Sequence, residues 1–152
     1  MHNLTTREVE KAAGLVEQDT RAKAHRAVVS GQRTQEDADK ELGRWLNCTR
    51  KAMDRIKLSC IDSSNITVWW PTEDPHTFGF ESSTRNVPYE ASVDLCECEG
   101  FKHGNPCWHR AGVVILQRAA KLRREAGERP AWGTRRRPSP AEIEAAAQEL
   151  FG

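Results

Sequence analysis

The chain of 152 residues lacks several features that would decide its class at once. Its longest apolar run, Val113–Leu116, is far shorter than the roughly 18 residues of a membrane span. Its five cysteines are an odd number, and residues 1–14 contain no apolar signal core. We therefore expect no disulfide framework, no membrane association and no secretion.

The chain has almost no excess of charge of one sign, and apolar residues are also scarce. The 23 basic and 22 acidic side chains leave a net charge of +1, which excludes a protein that is basic throughout. Apolar residues make up 38% of the chain and aromatic residues 7%, while charged residues reach 30%. This composition predicts a modest core with charged helix faces. Since no signal core is present, we expect a protein of the cytoplasm, nucleoid or nucleus.

The basic residues are concentrated in one part of the chain. Residues 102–137 contain 10 Lys and Arg against Glu125 and Glu128, whereas the segments on either side are net acidic. Such a basic segment is typical of a surface that binds polyanions. The alternative is a solvated helix face followed by a disordered tail.

Two long helices are predicted at the N-terminus. Thr5 and Glu8 have the spacing of a capping box that begins the first helix, Gly31 can end it, and Thr34 can cap the second. The second helix carries an apolar face of Ala38, Leu42, Trp45, Thr49, Ala52, Met53 and Ile56. We therefore predict an antiparallel helical hairpin over residues 1–58.

A small antiparallel β-sheet is predicted after the hairpin. Its three strands are the β-branched and aromatic segments 65–70, 76–81 and 89–95. Pro71 should end the first strand. Alternation places Val93 and Leu95 on the same face of the third strand as Tyr89 and Ala91.

A third helix is predicted to begin at Asn105 and Pro106, which suit the N-cap and N1 positions, and to run to about Gly127. The sheet and this helix would form a unit over residues 59–126. Residues 127–138 indicate a basic linker, and residues 139–152 open with a capping box that predicts a short C-terminal helix. The predicted fold class is α+β.

The segment from Cys96 to His109 has the most informative spacing in the chain. One residue separates Cys96 from Cys98, eight residues follow, and one residue separates Cys107 from His109. Three thiolates and one imidazole fill a tetrahedral zinc shell, which is the structural kind of site. The positive end of the third helix would favour the net negative charge of such a site.

This segment has other interpretations besides a zinc site. The thiols could be separately buried, or they could hold an iron–sulfur cluster, although such clusters usually use four cysteines. His103, on the intervening loop, could replace His109 as the fourth ligand. Clustering favours zinc, and helix geometry favours His109. Cys48 and Cys60 have no metal-binding spacing, and Cys60 continues an apolar helix face.

The motif Cys-x-Cys followed by Gly-x-Pro-Cys-x-His, with the strand before it, resembles the SWIM-type zinc finger over roughly residues 65–118. This resemblance implies a small sheet and a helix with zinc between them, held by Cys96, Cys98, Cys107 and His109. Glu97 and Glu99 depart from the Ser, Thr or Pro often found there. Fingers of this type accompany transposases, helicase-like ATPases, ubiquitin ligases and recombination mediators, and are regarded as DNA- or protein-binding modules.

The basic segment favours nucleic acid as the partner, and DNA is favoured over RNA. Basic residues lie within one arc of the third helix or in the linker after it. The candidate phosphate contacts are Arg110, Arg118, Lys121, Arg124, Arg135, Arg136 and Arg137. Such contacts would bind largely without sequence preference.

A second hypothesis is an adaptor within a larger nucleic-acid-processing complex, with zinc purely structural. The mixed-charge hairpin, which could also form a homodimer, and the amphipathic C-terminal helix suit protein contacts. An enzyme is the least favoured class. The sequence has no Walker-type motif, no Gly-rich dinucleotide turn and no nucleophile elbow, and the four ligands would leave zinc no open position.

Overall fold

The computed structural model describes residues 4–60, 67–81 and 88–127. Its elements in chain order are α1 (Thr6–Val29), α2 (Gln35–Ser59), β1 (Trp69–Pro71), β2 (Phe78–Phe80), β3 (Tyr89–Ala91), α3 (Glu99–Lys102) and α4 (Trp108–Glu125). The predicted α+β class with an N-terminal helical pair is confirmed. Most of the predicted linker and the whole predicted C-terminal helix lie outside the described residues.

The ends of α1 and α2 follow the capping chemistry of the sequence. The backbone N–H of Glu8 donates to Thr5 Oγ1 at 3.2 Å, and Thr5 N–H donates to Glu8 Oε1 at 3.1 Å, which completes the capping box. Thr34 Oγ1 accepts the N–H of Asp37 at the start of α2. Gly31, just after α1, has a φ of 78°, which glycine adopts without steric cost. The two helices pack together as the predicted hairpin.

The third long helix, α4, packs against both α1 and α2. From Trp108 to Ala120 every residue of α4 is buried or half-buried. Helical spacing predicts that Ala111, Ile115, Ala119, Leu122 and Ala126 belong to the core. The first three are buried, but Leu122 is only half-buried, and the prediction for Ala126 is wrong because it is exposed after the end of α4. Val113 and Leu116 are buried as well. The helix therefore packs inside the molecule along most of its length, and its exposed residues, Lys121, Arg124 and Glu125, lie among its last five.

The sheet has the strand order β1-β2-β3, and both pairs are antiparallel. Trp69 and Phe80, a register pair on β1 and β2, are fully buried. Pro71 ends the first strand as predicted, and it is itself the last residue of β1. The predicted start is wrong, because Thr67 and Val68 lie outside the strand. Since β1 is an edge strand, the missing N–H of proline is tolerated there.

The predicted length of the third strand is also wrong. Strand β3 ends at Ala91, and Val93 and Leu95 are 39% and 65% exposed instead of buried. The backbone N–H of Ser92 donates to the carbonyl of Leu95 at 2.8 Å, and Leu95 N–H donates to Ser92 Oγ. This turn reverses the chain, and Cys96 pairs with Ala91 in an antiparallel bridge.

One hydrophobic core joins these elements. It includes Val9 of α1, Ile56 of α2, Phe80 of the sheet, Ile115 of α4 and Cys96 of the metal-binding motif. The division between residues 1–58 and 59–126 stays a prediction, although the core contains side chains from both sides of it. Within the described ranges, no helix combines the length and hydropathy that crossing a bilayer requires.

Candidate metal centre

The structure brings the four predicted ligands together. Cys96, Cys98, Cys107 and His109 are all buried, and one donor atom from each lies within 4.8 Å of the others. Two ligand pairs that eight residues separate in the sequence therefore meet at one point, which separately buried thiols would not require.

Three local features position these side chains. The turn after β3 and the bridge to Ala91 place Cys96, and Cys98 occupies the N-cap of α3. The chain then returns at Gly104, whose φ is 78°. Cys107 occupies the N-cap of α4. Short α3 was not predicted from the sequence.

The predicted start of the third helix at Asn105 and Pro106 is wrong. The N–H of Asn105 donates to the carbonyl of Gly100 at 2.9 Å, which holds the segment against α3 outside the helix. Cys107 is extended, and its Sγ accepts the N–H of Arg110 at 3.5 Å as an N-cap does. Cys107 therefore precedes the helix, and only His109 of the second ligand pair is helical. Because the two residues are not both fixed on the helix surface, both side chains can reach one ion.

Hydrogen bonding and burial shift the pKa values of Cys107 and Cys96 in opposite directions. Hydrogen bonds from Cys96, from His109 and from the backbone of Arg110 lower the pKa of Cys107, against the opposing effect of burial. The shared proton and burial raise the pKa of Cys96. Binding of a metal ion to all the thiolates therefore displaces protons.

His109 supplies an observation that fits a metal. Its Nδ1 is buried and has no hydrogen-bond partner among the described residues. The imidazole is enclosed by the rings of Trp108, Tyr89 and Phe80, with centroid distances of 4.2, 5.2 and 5.6 Å. A buried ring nitrogen without a partner is costly, and coordination through that atom would satisfy it.

The buried set of three thiols and one imidazole is compatible with a zinc ion. The order of ligands along the chain, together with the strand before them and the helix after them, agrees with one family. Residues 93–117 match the SWIM zinc finger. No curated protein and no solved structure matched the chain. In this SWIM finger, zinc would join the turn after β3, α3 and α4, and its chemistry would be structural cross-linking.

His103 does not belong to the cluster of the SWIM finger. Its side chain is 73% exposed, and its Nε2 lies 3.8 Å from Glu99 Oε2. The structure therefore favours His109 over His103, as the sequence did.

Cys48 is a neighbour of the SWIM finger that the sequence did not reveal. It lines a pocket of about 400 Å³ together with Cys98, Cys107 and His109. Burial and the nearby Cys107 and Cys98 raise the pKa of Cys48, so its thiol is neutral. No spacing rule could find it, because Cys48 lies on α2 and reaches the site only through the packing of α2 against α4.

The candidate phosphate contacts of the SWIM helix α4 are divided among several environments. Arg110 Nε donates to the carbonyl of Val93 at 2.8 Å. Arg118 pairs with Asp19 of α1 at 3.2 Å, and its side chain is 26% exposed. Lys121 and Arg124 are exposed at the end of α4. Arg135, Arg136 and Arg137 lie outside the described residues.

A second pocket, which we call the basic groove, lies where α4 meets α1 and the turn before β2. Its volume is about 490 Å³. The polar residues that line it are Asp19, His76, Gln117, Arg118, Lys121 and Arg124. The groove therefore gathers three of the predicted phosphate contacts and adds His76 and Gln117, which are far apart in sequence.

Proposed function

We propose that the protein is a non-enzymatic, zinc-stabilised module that binds the phosphate backbone of nucleic acid, DNA first, at the basic groove. The observation that carries this proposal is the convergence of Arg118, Lys121 and Arg124 on one groove. Arginine and lysine side chains supply most of the affinity of proteins for nucleic acid by neutralising phosphates and releasing counterions.

The position of α4 favours backbone contacts over base recognition. A helix that reads bases must enter the major groove, but α4 is covered by its neighbours from Trp108 to Ala120. Its exposed side chains, among them Lys121 and Arg124, lie near its C-terminus. Binding should therefore depend strongly on salt and little on sequence.

The charge of the groove is partly compensated within the protein. Asp19 lines the same groove and holds Arg118 in an ion pair. A phosphate would compete with Asp19 for this arginine, so Lys121 and Arg124 should contribute more to binding. The sequence supports a continuation of the surface, because Arg129 and Arg135–Arg137 follow α4.

The test is fluorescence anisotropy with DNA duplexes of unrelated sequence over a range of salt concentrations. The double variant Lys121→Gln/Arg124→Gln should bind more weakly and lower the salt slope by about 2, since each lost phosphate contact removes about one. Arg135–Arg137→Ala tests the segment after α4 in the same way.

The matched control is Arg21→Gln/Lys23→Gln, which removes the same charge from exposed positions on α1. This control should leave the slope near that of the parent protein. An unchanged slope for Lys121→Gln/Arg124→Gln, or an equal fall for the control, would reject the groove as the binding surface.

An adaptor function is the second candidate, and the helical hairpin supports it. No residue from Glu17 to Val29 of α1 is buried, and from Gln35 to Trp45 of α2 only Ala38 is. This part of the hairpin could hold a protein partner or a second copy of the chain. Co-purification of a partner that survives nuclease and high salt would favour the adaptor; loss under nuclease would favour direct nucleic-acid binding.

A further inference from the structure

Arg110 follows the ligand His109 directly and touches three other segments of the chain. Its Nε donates to the carbonyl of Val93, in the turn before Cys96, at 2.8 Å. Its guanidinium carbon lies 5.1 Å from the ring centroid of Trp45 on α2 and 5.4 Å from that of Phe101 on α3. Both distances are within the range of cation–π attraction.

The backbone of the same residue reaches the metal cluster. The N–H of Arg110 donates to Cys107 Sγ at 3.5 Å, which helps to hold this ligand in place at the start of α4. Arg110 thus connects both cysteine-bearing segments of the SWIM finger through its side chain and its backbone. Trp45 adds a contact to the hairpin, which contributes no ligand itself.

These contacts also explain why arginine suits this position. The side chain bonds through Nε while its flat face lies over two aromatic rings, and lysine offers neither the Nε donor nor the plane. Arginine also keeps its positive charge at any ordinary pH, beside a site whose three thiolates outweigh the charge of zinc.

We propose that Arg110 is a positioning residue of the metal centre, which sets zinc affinity by fixing the turn before Cys96 and coupling it to Trp45 of α2. It is therefore not a phosphate contact. The inference does not rest on nucleic-acid binding, because it concerns how this chain holds its own ligands.

The test measures zinc affinity by competition with a chelator, in the full chain. Arg110→Gln should weaken zinc binding about 10- to 100-fold, the effect usual for partners that orient metal ligands. Arg110→Lys keeps the charge and should recover part of the loss. The cobalt-substituted protein should show an altered thiolate-to-cobalt absorption band in Arg110→Gln.

A double-mutant cycle tests the coupling to α2. Trp45→Leu should also weaken zinc binding, whereas Trp45→Phe, which keeps a ring under the guanidinium, should weaken it less. Trp45→Leu combined with Arg110→Gln should be hardly worse than Arg110→Gln alone, because residues that act through one contact are not additive.

Arg124→Gln is the matched control, since it removes an arginine from the same helix at an exposed position. Arg124→Gln should bind zinc like the parent protein and bind DNA more weakly. Arg110→Gln should bind zinc more weakly and, at saturating zinc, bind DNA like the parent protein. Parental zinc affinity in Arg110→Gln, or fully additive effects of the Trp45 and Arg110 changes, would overturn the proposal. Either result would leave the groove experiment unaffected.

Discussion

Glu8 shows how much one side chain contributes at the junction of two helices. It closes the capping box of α1, and its carboxylate also accepts two hydrogen bonds from Arg123 of α4, at 2.5 and 2.8 Å. The bond from Arg123 is the main reason why the pKa of Glu8 falls from 4.5 to about 2, with burial opposing it. This arginine is therefore occupied within the fold, although it lies among the cations of the basic segment.

We expect Glu8→Gln to separate the two roles, because glutamine can also complete a capping box but cannot form the ion pair. The Glu8 side chain is 32% exposed. Solvent therefore limits the loss in unfolding free energy at pH 7 to about 1 kcal/mol. The depressed pKa gives a contribution that is complete above pH 4.5 and disappears as the pH falls towards about 2.

Denaturant unfolding of both proteins at a series of pH values measures this contribution. The difference between parent and Glu8→Gln should shrink across that acid range, and the acid dependence of the metal centre cancels because both proteins share it. A difference that is constant with pH would show that the ion pair does not stabilise the fold. Thr5→Ala, which breaks the cap, should instead cost about 1 kcal/mol with little of this pH dependence.

At the scale of the element, α4 shows what its sequence could and could not predict. Helical spacing predicts Ala111, Ile115 and Ala119 in the core and Lys121 and Arg124 outside it, and the structure agrees. The same spacing also predicts Ala126 in the core, but this residue follows the last turn and is exposed. The spacing could not show that neighbours cover the polar arc as well. That cover comes from Asp19 of α1 and from the turn at Val93, and such long-range contacts leave no local signal.

The metal motif was easier to predict than the elements around it. Its ligand spacing is a local property of the chain, so the sequence alone indicated all four residues that meet in the structure. The start of α4 was missed because Cys107 caps the helix with its sulfur, a role that sequence rules give to serine, threonine, asparagine or aspartate. The end of β3 was missed because alternation continues through a turn.

Replacement of glycine by alanine should have opposite effects on the stability of the fold at two helical positions. A Cβ on Gly112 of α4 would lie 3.0 and 3.1 Å from ring carbons of Phe80, which is fully buried. Overpacking of this kind costs about 1–3 kcal/mol, which should exceed the gain in helix propensity. A Cβ on exposed Gly43 of α2 meets nothing within 4 Å, so Gly43→Ala should stabilise by about 0.5–1 kcal/mol.

Thermal and denaturant unfolding of the zinc-loaded variants check this pair. Gly14→Ala on α1, also free of neighbours within 4 Å, should behave like Gly43→Ala. If Gly112→Ala were as stabilising as these two, α4 would not pack closely on the sheet.

For the whole molecule, the shared core makes metal binding a property of the entire fold. Cys96, Cys98 and Cys107 belong to the same cluster of buried residues as Val9 of α1 and Ile56 of α2. Helix α4 begins at a ligand and packs against both helices of the hairpin. Loss of zinc should therefore weaken the hairpin, although the hairpin supplies none of the four ligands.

Chelation of zinc should accordingly lower the Tm of a single cooperative unfolding transition. It should not abolish one of two separate transitions. Zinc at about a thousand times its dissociation constant stabilises by about 4 kcal/mol, which for a chain of this length corresponds to a fall of about 10 °C in Tm on removal. Helical circular dichroism, which reports mainly on α1 and α2, and tryptophan fluorescence should shift together.

His103→Ala should behave like the parent protein, because His103 lies outside the cluster, whereas Cys107→Ser should melt like the chelated protein even with zinc present. If the helical signal kept its original Tm after chelation, residues 1–58 would be an independent domain, and the shared core would not couple it to the SWIM finger.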